Sequence, residues 1–162
     1  VKLTLQPNCW SCLLASFAMA LGVEVRTITD LVGHDGSEIW WPELPDPERR
    51  RSFHVQEMIR VAIRLGWATT PVEGRPCSSP GSIAPPREVH VQGFEEIFYS
   101  GVGVLTGVGK FSDRPHAAAW DGKEVYDPNG AVYGAEEFEI ETFWMLTVLS
   151  HSAKGPLEVL TD

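Results

Sequence analysis

The chain has 162 residues, enough to bury a core without staples, and its 43% hydrophobic and 22% charged side chains are ordinary for a globular domain. A formal charge of −9 argues against a nucleic-acid partner, because phosphate binding needs a surplus of Lys and Arg. Three cysteines do not describe a disulfide scaffold and point to a reducing compartment, and no run approaches the ~18 apolar residues of a membrane span.

The first residues lack the positive-then-apolar order of a secretory signal. The chain begins at valine, which leaves room for a segment upstream. Residues 9 to 21 (CWSCLLASFAMAL) predict a helix closed by Gly22. It is apolar on nearly every side, so it belongs at the centre of the fold. A short second helix is expected over Thr27 to Val32, stopped by Gly33. Residues 35 to 51 carry three prolines and predict a long loop. Within it, Arg49-Arg50-Arg51 reads as a solvated approach to the next helix.

Ser52 is a candidate cap for a third helix through Leu65, with Val55, Ile59, Ala62 and Ile63 as its apolar stripe. Ala68 to Val72 predicts a strand, 74 to 86 a loop, and Phe94 to Ser100 a short helix. The period then becomes strand-like over Val102 to Val108, His116 to Trp120, Lys123 to Asp127 and Phe143 to Leu149. Helices first and an antiparallel sheet afterwards predict an α+β fold in a single domain over 1–162.

The chemistry starts at Cys9-Trp10-Ser11-Cys12. A redox pair needs C-x-x-C inside βαβ units, whereas here the strands cluster at the far end. A zinc site needs two further close ligands, and Cys77 stands alone. A nucleophile needs a base, a group that orients the base, and oxyanion donors. Both Cys9 and Cys12 lie near the positive end of the predicted helix, which favours thiolate.

The candidate base comes from PHAAAWDGKEVYDPNG, residues 115 to 130. A two-residue turn at Asp121-Gly122 would pair Trp120 with Lys123 and, walking outward, His116 with Asp127. Opposed residues share a face with Cβ atoms about 5 Å apart, so Asp127 can fix the imidazole tautomer. Three alanines beside His116 leave room for a helix to pack closely. Taken singly, a His opposite an Asp is more often a surface pair. Asn129, on the same strand face, is the alternative orienting residue if the register slips.

Gln6, Cys12, Ala15 and Met19, followed downstream by His116 and Asp127-Pro128, resemble the papain-like cysteine peptidases. The nearest branch is that of the double-glycine leader (bacteriocin-processing) peptidases. The resemblance covers residues 6 to 22 and 115 to 130; Leu13 stands where that branch usually has glycine, and the His-to-Asp gap is shorter than usual. It selects Cys12 as nucleophile and leaves Cys9 as a packing or loop residue. It also implies His116 as base and acid, Asp127 as its orienting group, and the Gln6 amide as an oxyanion donor.

The remaining motifs read blandly. Trp40 and Trp41 are expected to cover the core rather than form a subsite, and His54 and Gln56 to cap or face solvent. His34, His90 and His151 are expected at the surface. Gly101, Gly103, Gly107 and Gly109 precede no helix start, so they flank a strand near the site instead of cradling phosphate. The expected function is a small stand-alone cysteine peptidase acting on a peptide or protein through an acyl-enzyme. It would need no cofactor, metal or membrane and work in the cytoplasm or inside a host cell. A glutamine deamidase, an acyltransferase or an inert binding module on the same fold is the alternative.

Overall fold

The computed structural model describes residues 1–73, 94–112 and 114–149. The expectations for the 74–86 loop, Cys77, His90 and His151 fall outside the described residues. The described residues form an α+β arrangement of four helices and six strands. In chain order these are α1 (Cys12–Leu21), α2 (Val25–Val32), α3 (Val55–Arg64), β1 (Trp67–Glu73), α4 (Phe94–Ser100), β2 (Val102–Val108), β3 (Pro115–Trp120), β4 (Val125–Asp127), β5 (Ala131–Tyr133) and β6 (Glu139–Val148). The strands make one antiparallel sheet in the order β1-β6-β2-β3-β4-β5.

The absence of a polar face on α1 is answered by burial: every residue from Leu14 to Leu21 is inside. Gly22 ends the helix in the left-handed region at φ 68°, returning its N–H to the carbonyls of Ala18 and Met19. The helix begins three residues later than its composition predicts. Asn8 Oδ1 accepts the Trp10 N–H at 3.3 Å and the Ser11 hydroxyl at 2.7 Å, a local turn that competes with helix. Cys9 therefore lies in a turn, and Cys12 is the first helical residue.

Ser52 does not cap α3. It takes φ 58° and donates its hydroxyl to the Trp10 carbonyl at 2.7 Å, tying this loop to the turn before α1. His54 is the N-cap instead, and Glu57 accepts the His54 N–H at 2.9 Å, as a capping box requires.

Alternation along β3 divides the interior. Ala117 and Ala119, with Val104 and Leu146, face Leu14, Phe17 and Ala18 of α1. Ala118 and Trp120 face the opposite cluster, with Leu105, Phe143, Phe98 of α4 and Tyr133 of β5. Only two of the three alanines thus make room for α1. On the other face Phe98 stacks on Trp120 at 4.3 Å and accepts its indole N–H at 2.7 Å. Such an aromatic pair adds about 0.5–1.5 kcal/mol beyond its burial.

Trp40 and Trp41 do not cover the core: they are 43% and 42% exposed. Their loop is held by polar contacts within it and to its neighbours. Arg50 reaches Asp46 at 2.6 Å, Arg51 reaches Glu38 and Glu57 at 3.4 Å, and the Arg50 guanidinium lies 4.8 Å above the Trp10 ring. Arg50 and Arg51 are thus ion-paired rather than merely solvated. His34 is not a lone surface residue. Its Nε2 lies 3.0 Å from Glu57, its Nδ1 accepts the Gly36 N–H, and its ring stacks on Phe53 at 5.1 Å. Among the described residues no single helix is long and apolar enough to cross a membrane.

Candidate active site

The β3–β4 hairpin closes through four residues rather than two. Asp121 Oδ1 accepts the N–H groups of Lys123 at 2.9 Å and Glu124 at 2.8 Å, a side-chain-stabilised turn that widens the loop. Trp120 then pairs with Val125 and Ala119 with Tyr126, so the predicted pairing is displaced by two residues. The predicted direct opposition of His116 and Asp127 is accordingly absent. A shift of two residues still returns every side chain to its own face, where a shift of one would have reversed them. Asp127 meets His116 on the diagonal.

The contact is short and buried. His116 Nε2 lies 2.9 Å from Asp127 Oδ1, with side chains 6% and 1% exposed. Asp127 Oδ1 also accepts the backbone N–H of Asn129 at 2.8 Å, and Oδ2 accepts the Tyr133 hydroxyl at 2.7 Å. With Nε2 committed to the carboxylate, Nδ1 is the ring nitrogen left for another partner. Cys12, at the start of α1, lies close enough to the imidazole to favour its charged form. The structure thus brings Cys12 to the neighbourhood of the bonded His116–Asp127 pair.

Asn129 is adjacent but secondary. Its Nδ2 is 3.5 Å from His116 Nε2, longer than the Asp127 contact. Its Oδ1 accepts from Gln6 Nε2 at 2.9 Å, and the Gln6 backbone N–H donates to the Pro128 carbonyl at 2.9 Å. Gln6 is therefore stitched to the turn after β4, and its Oε1 is buried without a partner. Ser11 donates to Asn8 and provides no side-chain cap to α1, and no acidic residue lies in the first turn. The first N–H groups of the helix thus have no side-chain cap.

Cys9 and Cys12 are both free thiols; Cys9 is exposed and Cys12 half-buried. His54 serves α3, and Trp40 and Trp41 remain in the outer loop. Sequence reasoning missed Tyr133 and the strand that carries it. The signal was there in Asp127-Pro128-Asn129-Gly130, a turn that reverses β4 into β5 with Gly130 at φ 102°.

Charge at the site is organised by opposition. Burial works against the His116 imidazolium, but its hydrogen bond to the Asp127 carboxylate and the nearness of Cys12 outweigh it, pushing the pKa from 6.5 to about 9. Burial likewise works against the Asp127 carboxylate. The hydrogen bonds from His116, the Asn129 N–H and Tyr133 overcome it and hold the pKa below 3.8.

These shifts predict a pH dependence of stability. A proton bound more tightly in the folded state stabilises the fold wherever it is bound in both states. The His116 contribution is full below pH 6.5 and disappears as pH rises through about 9. The Asp127 contribution is full above 3.8 and is lost as pH falls through its lowered value. Chemical denaturation of wild type and His116→Gln should show a stability difference that shrinks between pH 6.5 and 9. A difference independent of pH over that range would show that the folded ring holds its proton no more tightly.

A groove of about 1080 Å³ lies between the N-terminal segment and residues Ala18–Arg26, and none of Cys12, His116 and Asp127 lines it. Among the described residues no three His, Cys, Asp or Glu side chains gather as a metal site. No protein-family model matches the chain, and no curated protein matches it.

Proposed function

We propose that the protein is a papain-like thiol hydrolase that cleaves a peptide or isopeptide bond through a Cys12–His116–Asp127 triad. The observation that supports this reading is the buried His116–Asp127 hydrogen bond with Cys12 near the imidazole. Asp127 accepts from Nε2, which leaves Nδ1 to take the thiol proton. Cys12 Sγ then attacks the scissile carbonyl carbon, and the carbonyl electrons move onto oxygen. The backbone N–H of Cys12 and the Gln6 amide are the proposed donors to that oxyanion.

The tetrahedral intermediate collapses as His116 passes its proton to the leaving nitrogen, giving an amine and a Cys12 thioester. Water attacks the thioester with His116 as base, releasing the carboxylic acid and restoring the thiol. The position of Cys12 at an uncapped helix start supports the same reading, since the N–H dipoles favour negative charge there.

Alkylation near neutral pH is expected to label Cys12 much faster than Cys9, because only Cys12 has an imidazole to take its proton. Equal, slow labelling would overturn the nucleophile assignment, and rapid closure of a Cys9–Cys12 disulfide would favour a redox pair. Mass spectrometry of a peptide library incubated with the protein then identifies the reaction. New termini mark hydrolysis. A glutamine-to-glutamate mass change without cleavage would mark a deamidase, and a reactive Cys12 with no product a binding module.

A further inference from the structure

His116 uses one oxygen of Asp127, and the other is also held. Oδ2 accepts the phenolic O–H of Tyr133 at 2.7 Å, in a contact where both residues are buried. Tyr133 reaches it from β5, where it pairs with Val125, two residues before Asp127 on the same face. The fit around the three side chains is tight. A Cβ on Gly109 would stand 3.1 Å from His116 Cδ2, 3.2 Å from Tyr133 Oη and 3.4 Å from Asp127 Oδ2. A side chain at position 109 would therefore crowd the imidazole, the carboxylate and the phenol at once.

We propose that Tyr133 is a positioning residue of the reaction, locking the Asp127 carboxylate in the plane that receives the His116 N–H. This rests on the thiol-hydrolase reading of the site. The terminal torsion of an aspartate is broad, so one bonded oxygen does not fix its plane. Donors on both oxygens do. A buried carboxylate also needs two or three donors to stay charged, and Tyr133 supplies the only one to Oδ2 among the described residues.

The charged and titratable neighbours are few. His116 from β3 and the Asn129 N–H face Asp127, and Cys12 of α1 lies beyond His116. Lys110, paired with Glu137, has its Nζ 5.9 Å from the centre of the Tyr133 ring. Burial and the bond to Asp127 both hold the phenol in its protonated form, so it remains a donor wherever the carboxylate is charged.

Tyr133→Phe removes one oxygen and keeps the ring. It should lower kcat by about 10- to 100-fold, the worth of a hydrogen bond to a charged group, with KM unchanged. The acid limb of Cys12 alkylation should move to higher pH, since Asp127 loses a donor that favours its charged form. The far-downfield proton resonance of the His116 N–H should shift as well. A folded Tyr133→Phe with both the acid limb and the resonance unmoved would overturn the proposal. If that variant fails to fold, 3-fluorotyrosine incorporated throughout the wild-type chain makes the phenol a stronger donor and should shift the same resonance; no shift would overturn it. Absence of preferential Cys12 labelling in wild type would instead count against the hydrolase reading, and the resonance would still report whether Tyr133 holds Asp127.

Discussion

Asp127→Ala is expected to lower turnover by about 10⁴-fold, whereas Asp127→Asn should cost substantially less. Alanine removes both the charge and the acceptor. It leaves the His116 ring, the Asn129 N–H and the Tyr133 hydroxyl facing an empty buried space. Asparagine removes only the charge. Two N–H donors converge where Oδ1 stands, so the amide oxygen is held there and continues to accept from His116 Nε2. The amide nitrogen then meets Tyr133 Oη, and a hydroxyl can accept as well as donate.

The tautomer error that an amide would otherwise introduce is thus blocked by Tyr133 and the Asn129 backbone. What the asparagine variant loses is the balance of imidazolium charge, so the alkaline limb of its rate profile should fall from about 9 towards 6.5. Steady-state rates across pH for both variants test this. Equal losses would assign the whole effect to charge rather than orientation, and unchanged rates would remove Asp127 from the mechanism.

Gln6→Ala is expected to reduce kcat by about 10²–10³-fold, the usual effect of losing one oxyanion donor. The side chain is held beside the site by its bond to Asn129 and by the backbone bond to Pro128. Alkylation of Cys12 develops no oxyanion, so its rate in this variant should stay near that of wild type. That split separates transition-state stabilisation from thiol activation. A parallel drop in alkylation would mean that Gln6 acts by holding the turn that carries Asp127. An unchanged kcat would place it outside the reaction.

The hairpin shows where sequence reasoning stops. Strand alternation gave the correct face for His116 and Asp127, because side-chain direction depends on parity alone. The register came out two residues off, because Asp121 caps its own turn and lengthens the loop to four residues. Two such side-chain hydrogen bonds, each worth about 1 kcal/mol, favour the wider closure. The start of α1 follows the same pattern. Its apolar composition runs back to Cys9, yet Asn8 bends the chain locally and moves the first helical residue to Cys12.

By itself the sequence determined the α+β class, the burial of α1, its end at Gly22, and the placing of a histidine and an aspartate on one sheet face. Each depends on residues close together in the chain or on a simple period. Tertiary structure alone decided that Cys12 comes near His116 and that Gln6 lies against Asn129. It also decided that Tyr133 holds the second oxygen of Asp127, that His34 finds Glu57, and that Trp40 and Trp41 stay outside. Those contacts join segments up to 123 residues apart, as in Gln6 with Asn129. No local propensity encodes such a meeting. It follows only once the helix and the sheet have buried their apolar faces against each other and brought their polar ends together.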